Sequence, residues 1–385
     1  MSFPSPLAQP ARATPAAPPP APPRPDLPVP APTGGRVILW IVAAVLAVAS
    51  LGLAAYFLAF LGAAASIVSG LLALIPLVLV LVAIRMIDRW EPEPRGLVVL
   101  ALAWGAVASV VIALGVDLVI TLVAPGLPDT VSAVLQAPIV EEVAKGAGVL
   151  LIFVAARRAF DGPVDGVVYG ALVGAGFAFT ENILYFADSL VTGGAESAAY
   201  TFFLRGILSP FAHVMFTAVT GYALGRAARR GVWGAAALGP WAVGLGGAIG
   251  LHALWNGSAV FADFFVLYAT FQMPLFILFI VGVVLLRREE ARLTRTCLGD
   301  YAVAGWFSPA EVDMLATGRG RSRAVTWARS LPGDRSAAMR RFIVEATALA
   351  AARHRVIGGR DPRAAADERV YLERATRARS DLLVG

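Results

Sequence analysis

Glu141, Glu142, Lys145, Glu181, His213, His252 and Asn256 are the side chains best suited to chemistry in this sequence. All seven fall within long apolar stretches, where an ionisable group is costly and its presence points to function. In Glu141-Glu142-x-x-Lys145 the first and last residues are four apart, share a helix face and can pair. Glu142 then points about 100° away and is free for another task. Two neighbouring carboxylates, one tied to a cation and one in a drier site, have separated proton affinities, which suits general-base work. Lys145 is also the only lysine in a chain that otherwise uses arginine. A structural ion pair locking two helices would account for Glu141 and Lys145, but it leaves Glu142 without a role.

Three further groups complete the set. Phe177-x-x-x-Glu181-Asn182 puts Phe177 and Glu181 on one face, and His252-x-x-x-Asn256 does the same for its pair. His213 stands alone on its own segment. Two imidazoles and a carboxylate match the ligands of a catalytic zinc, which keeps a fourth position for water. In that reading Glu181, His213 and His252 are ligands, and Glu141 or Glu142 accepts the proton of the water. The spacing is not that of the His-Glu-x-x-His helix, so the zinc rests on ligand types alone. A metal-free version is equally drawable: the glutamates activate water directly while His252 and Asn256 stabilise the oxyanion.

The elements that carry these residues are membrane helices. Of the 385 residues 58% are hydrophobic and 15% charged, with a mean hydropathy of +0.73. The apolar residues come in runs of roughly 20 or more, the length that spans a bilayer core. Backbone groups in lipid must be satisfied within their own segment, so helices are expected. The predicted fold class is all-α: a polytopic membrane helix bundle of about eight transmembrane helices with a small helical cytoplasmic C-terminal region. The apolar segments fall at about 37–62, 67–87, 97–123, 131–156, 164–187, 201–225, 233–258 and 264–286. Residues 1–35 are Pro/Ala-rich and read as a disordered cytoplasmic tail. Residues 36–287 form the membrane domain, and 288–385 turn polar and Arg-rich with amphipathic stretches.

Arg36, Arg85, Arg89, Arg95, Arg157, Arg158, Arg226, Arg229, Arg230, Arg287 and Arg288 all fall on one side of this arrangement. The opposite loops, 63–66, 124–130, 188–200 and 259–263, contain no Lys or Arg. By the positive-inside rule both termini are cytoplasmic, in a multi-pass protein of the cell membrane. Glu141 then lies roughly 15 Å from the outer end of its helix, Glu181 and His252 roughly 9 Å and His213 roughly 18 Å. Helices of alternating direction thus bring the carboxylates and imidazoles to similar levels. Gly166, Gly170, Gly174 and Gly176 form a small-residue stripe that permits close helix approach.

Taken together, Glu141-Glu142-x-x-Lys145, Phe177-x-x-x-Glu181-Asn182, His213 and His252-x-x-x-Asn256 resemble the PrsW family of intramembrane proteases, related to the CAAX prenyl endopeptidases and ABI-type proteins. Asp88-Arg89-Trp90-Glu91-Pro92-Glu93-Pro94 is similar to a segment common in that family. The resemblance covers about 67–286. It implies a membrane-embedded, metal-dependent endopeptidase that cleaves membrane-anchored proteins such as anti-sigma factors on the outer side. The CAAX group carries His at the position of Glu181, so roles do not transfer directly there.

The formal net charge of +6 sits in Arg-rich flanks and suits anionic lipid headgroups rather than a nucleic-acid partner. Cys297 is the only cysteine, which excludes an intrachain disulfide and reads as an inert thiol. Asp117 and Arg205 fall near the outer ends of their helices, as interfacial residues or as a pair framing an entrance. The main rival function is a proton- or ion-coupled transporter with a Glu/His relay. Such transporters are built on internal repeats, and neither the Glu-Glu-x-x-Lys nor the His pattern recurs between the two halves. A non-catalytic scaffold leaves the aligned Glu/His cluster without a reason.

Overall fold

The computed structural model describes residues 33–383 apart from 89–91, 158, 262, 360 and 362. The Pro/Ala tail as far as residue 32, and with it Arg89, Trp90, Glu91 and Arg158, lies outside the described residues. Among those described, the chain is helical with no strand. One compact unit covers Ile38–Arg288 and another contains Glu289–Gly385.

The first unit is a polytopic bundle. Its helices are α1 (Thr33–Phe60), α2 (Ala63–Ile87), α3 (Arg95–Val123), α4 (129–155), α5 (163–193), α6 (195–208), α7 (Ala212–Arg229), α8 (Leu238–Phe261) and α9 (Phe264–Val303), the last belonging to the second unit from Glu289 onward. Among the described residues six helical runs are long and apolar enough to cross a membrane. That set omits α4, which carries Glu141, Glu142 and Lys145, and takes Pro163–Arg229 as one run. The expectation of about eight segments divided the chain more finely there. Gly194 supplies the division: at φ 73°, ψ −167° it leaves helical geometry, a conformation open to glycine and strained for other residues. Across it Ser189 Oγ and Thr201 Oγ1 meet at 2.8 Å, and Phe186 faces Phe202, so α6 folds back along α5.

The pattern of burial is that of a protein in lipid. Trp40, Leu51, Phe60, Leu71 and Val123 are exposed, whereas Glu142, Lys145, Thr217 and His252 are buried. Apolar side chains face outward because the surrounding solvent is itself apolar, and the costly groups pair inside.

Local sequence explains the elements around the site. Pro163 opens α5, and the Asp165 carboxylate accepts the backbone N–H groups of Gly162 and Asp161 at 2.8 and 3.0 Å, satisfying helix-start donors. The glycine stripe of α5 lies antiparallel on α7. A Cβ added at Gly166 would strike the backbone of Gly221, at Gly170 that of Thr217, and at Gly174 that of His213. Gly176 of α5 and Gly105 of α3 close the other side in the same way, against Leu102 and Val173.

Four stretches widen to i→i+5 hydrogen bonding: Trp104–Ser109, Ser132–Gln136, Phe203–Leu208 and Tyr268–Gln272. The last three each end two residues before a proline, Pro138, Pro210 and Pro274. A proline has no N–H for the preceding turn, and the backbone adjusts by widening. At Pro210 the helix breaks altogether over residues 209–211, between α6 and α7.

At the end of α2, Asp88 accepts the N–H of Glu93 at 3.2 Å. Glu93 in turn accepts the hydroxyl of buried Tyr169 at 2.5 Å. The segment leading into α3 is thereby tied to α5.

The second unit has α10 (Pro309–Leu315), α11 (Gly318–Arg329), α12 (Ser336–Gly358) and α13 (Ala364–Leu383). Leu298, Leu315, Met339, Phe342 and Leu349 form its core, beside which Cys297 is buried. Fully buried Glu311 caps α10 through Ser308 and takes a forked contact from Arg379, at 2.6 and 3.1 Å.

Candidate active site

Every charged residue singled out in α4, α5, α7 and α8 meets in one cluster. Lys145 is its centre, with no exposure. Its Nζ lies 2.6 Å from Glu142 Oε1, 3.3 Å from Glu141 Oε2 and 3.1 Å from His213 Nδ1, and 4.0 Å above the Phe177 ring. The expected Glu141–Lys145 pair is present, but Glu142 is not turned away from the lysine. Spacings of three and four both lie on one helix face, and Glu142 makes the shorter contact.

The two neighbouring glutamates differ in surroundings. The Glu142 side chain is 0% exposed and its oxygens are taken: Thr217 Oγ1 donates to it at 3.0 Å, and His252 Nδ1 lies 3.1 Å away. Glu141 is 13% exposed and lines open space. The drier carboxylate and the one held closest to the cation are thus the same residue, Glu142.

Donor rules fix the ring protons. An ammonium can only donate, so His213 Nδ1 accepts from Lys145 and the ring proton sits on Nε2. From there it reaches Glu181 Oε2 at 2.8 Å. A carboxylate can only accept, so His252 Nδ1 donates to Glu142. That leaves the lone pair of His252 Nε2 facing Glu141, 3.9 Å from Oε2. Carboxylate support behind an imidazole is the usual arrangement for a metal-binding histidine.

Glu181 is held on its other side by Arg205. Arg205 also donates from Nε to Asn182 Oδ1 at 2.9 Å and lies over the Tyr185 ring. Arg205 therefore belongs to the site, and it does not pair with Asp117, which instead accepts from Gln136 Nε2 at 3.0 Å. The fold-back at Gly194 is the reason. It sets α6 beside α5 and aims Arg205 at Glu181. Asn256 lies in the same chamber as His252, with its amide donating to the Ala133 carbonyl at 2.9 Å.

The cluster opens on a chamber of about 110 Å³ lined by Glu141, Glu181, Arg205, His213, His252 and Asn256. Beside it, between α3, α4 and α5, runs a wider groove of about 340 Å³ that shares Glu141, Glu181 and Tyr185 with the chamber. A third pocket of about 130 Å³ meets the chamber at Ser209, Pro210, Ala212 and Trp255.

Glu141, His213 and His252 each offer a donor atom within 4.8 Å of the others. Two imidazoles and a carboxylate at that separation fit zinc chemically. Among the described residues this trio is the candidate metal group in the bundle. Glu181, expected from the sequence as the third ligand, adjoins it through His213.

A polytopic helical membrane protein with two imidazoles and two chamber-facing carboxylates converging inside its bundle is the class that fold and site define. Residues 93–284 match the family described as PrsW family intramembrane metalloprotease, and the chain belongs to that family. Relatives named Protease PrsW include one from Geobacillus kaustophilus, 33% identical over 142 residues, or 36% of this chain and 58% of the relative. One from Bacillus subtilis is 40% identical over 79 residues, 20% of this chain and 33% of the relative. The chain thus spans little more than half the length of the first and a third of the second. No solved structure matches the chain.

Proposed function

We propose that the chain is an intramembrane endopeptidase that hydrolyses peptide bonds of membrane-anchored proteins in the chamber between α4, α5, α7 and α8. One observation carries the reading: Glu141, His213 and His252 converge within 4.8 Å where a groove along the bundle reaches the site. Family membership supports the same reaction. It is less suited to a Glu/His relay for ion transport.

In this reading Glu141, His213 and His252 hold a zinc ion, a revision of the sequence-derived set in which Glu181 took the place of Glu141. When bound, zinc supplies Lewis-acid polarisation of the scissile carbonyl and acidifies water. The chain's own groups do the rest. To offer Nε2 as a neutral imidazole, His213 would take a proton on Nδ1 from Lys145 at 3.1 Å while its Nε2 proton leaves through Glu181 at 2.8 Å to solvent. Glu181, ionised again, is the chamber carboxylate that takes and returns protons during hydrolysis. Arg205 and Asn182 fix its position. Glu142 orients His252 from behind and, with Lys145, sets the register of the cluster. Asn256 faces the developing oxyanion beside His252.

In this reading both termini are cytoplasmic and the chamber lies in the outer half of the bilayer, which the positive-inside rule supports through the arginine-bearing segments. Substrates of the anti-sigma-factor kind, cut on the outer side, suit that placement. Residues from 288 onward form a cytoplasmic helical region.

The test is cleavage of membrane-anchored reporter proteins by the full chain in proteoliposomes. Wild type should release product, and Glu141→Gln and Glu181→Gln should each lower turnover by about a thousandfold or more. A wild-type rate that both substitutions leave unchanged would discard the reading.

A further inference from the structure

The groove between α3, α4 and α5 has two kinds of lining. Val110, Leu114, Val140, Phe177 and Leu184 make its walls apolar. Its outer rim carries Asp117 and Asp188, both exposed and both within the groove lining. Among the described residues neither carboxylate has a cationic partner: that of Asp117 accepts from the neutral Gln136 amide. The segments 124–130, 188–200 and 259–263 hold Asp129, Asp188, Glu196 and Asp263 and no Lys or Arg. The inner end of the groove is closed by Glu141 and Glu181. Arg205, the nearby cation of the chamber, is already taken by Glu181.

Such a channel suits an apolar segment that ends in a positive charge. Lipid would satisfy the walls but leave the unpaired rim unanswered. A peptide strand with a Lys or Arg answers both, since its cation meets carboxylates at the edge of a low-dielectric wall.

The register follows from helix geometry. Asp188 lies seven residues beyond Glu181 on α5, roughly 10 Å along the axis at 1.5 Å per residue. Gln136, which carries Asp117, lies five residues before Glu141 on α4, roughly 7.5 Å along the axis. An extended peptide advances roughly 3.3 Å per residue, so the rim stands two to three residues from a bond held at the glutamates.

We propose that this groove is a substrate subsite that binds an unwound apolar segment and selects a Lys or Arg two to three residues from the scissile bond, through Asp117 and Asp188. The proposal rests on the endopeptidase reading for the word "scissile" and on the groove alone for the binding preference.

Binding and cleavage are measured separately, with the full chain in nanodiscs and synthetic Leu/Ala-rich transmembrane peptides that carry one Lys, Gln or Glu at stepped positions. The Lys peptide should bind roughly fivefold more tightly than its Gln twin, a rim-sized charge effect. That ratio should fall to about one in Asp117→Asn, Asp188→Asn. It should turn in favour of the Glu peptide in Asp117→Lys, Asp188→Lys, an inversion that mere loss of structure would not produce. Mass spectrometry of products should find the cut two to three residues from Lys and moving with it. Equal binding of Lys and Gln peptides to wild type overturns the subsite whether or not cleavage occurs. So does crosslinking of phospholipid, undisplaced by peptide, at Leu114 and Leu184. A Lys preference without any cleavage keeps the subsite and removes the endopeptidase reading.

Discussion

Nδ1 of His252 lies 3.1 Å from Oε1 of Glu142, although 110 residues separate the two in the chain. The same oxygen is 2.6 Å from the Lys145 ammonium. One buried carboxylate therefore neutralises the bundle's single lysine and sets the tautomer of a histidine on another helix. Glu142 is thereby held from two sides and buried, whereas Glu141 next door is partly open to the chamber.

The first prediction follows from that division. Glu142→Gln leaves the Lys145 charge short of its nearest partner in a site without solvent, and should destabilise the fold by about 3–5 kcal/mol. Glu141→Gln, in a partly open site, should cost roughly 1 kcal/mol or less while removing activity. Thermal unfolding in detergent beside reporter cleavage compares them. Equal losses of stability would show that the two carboxylates are not partitioned in this way.

Metal content separates the chamber's own two carboxylates. Purified wild type should carry about one zinc per chain, measured by mass spectrometry. Glu141→Gln and the His213→Ala, His252→Ala double variant should lose it, whereas Glu181→Gln should keep it and remain inactive. Retention in Glu141→Gln with loss in Glu181→Gln would return the ligand set to Glu181, His213 and His252.

Gly174 of α5 packs against the turn of α7 that carries His213. A side chain there meets the backbone of His213 itself. Gly174→Val should overpack the contact at a cost of about 1–3 kcal/mol and move His213 out of register. Activity should fall much further than stability. Full activity would mean that the α5–α7 spacing does not set the site.

Much of this arrangement was legible in the sequence. The cost of ionisable groups in apolar runs led directly to Glu141, Glu142, Lys145, Glu181, His213 and His252. Counting residues from helix ends put them at one level, and the α5 glycines announced a close neighbour. The division of labour within Glu141 and Glu142 was not legible. Periodicity turns one residue away from the other but cannot tell which of them meets Lys145 at 2.6 Å. Arg205 reads as an interfacial residue or a partner of Asp117 and not as a partner of Glu181, because nothing in the spacing of Gly193-Gly194 says that one glycine reverses a helix. The widened turns before Pro138, Pro210 and Pro274 carried a usable signal in the prolines themselves.

A fourth prediction concerns Asp88, just past the end of α2. Burial pushes its carboxyl up to about 6, against the N–H of Glu93 and the charges of Arg287 and Arg85, which pull it down. In the unfolded chain it titrates at about 3.9. Between those values the folded state holds a proton that the unfolded state lacks, so stability falls as pH rises from about 4 to 6. Asp88→Asn removes that loss. The variant should match wild type below about pH 4 and exceed it at about pH 7 by on the order of 1 kcal/mol, after allowance for partial exposure. A gap of the same size at every pH would assign the effect to something other than titration.

The break at 209–211 also bears on the chamber beside it. Pro210 donates no hydrogen bond, and irregular backbone at membrane depth persists only where it is buried in protein or borders water. Ser209 and Pro210 line both the chamber and the pocket toward Leu79 and Gln272. The interruption thus lies between the chamber and a second cavity, which share Ser209, Pro210, Ala212 and Trp255. The missing helical turn is a wall shared by two cavities, one holding the ionisable cluster and one lined chiefly by apolar side chains such as Leu79, Met215 and Phe276.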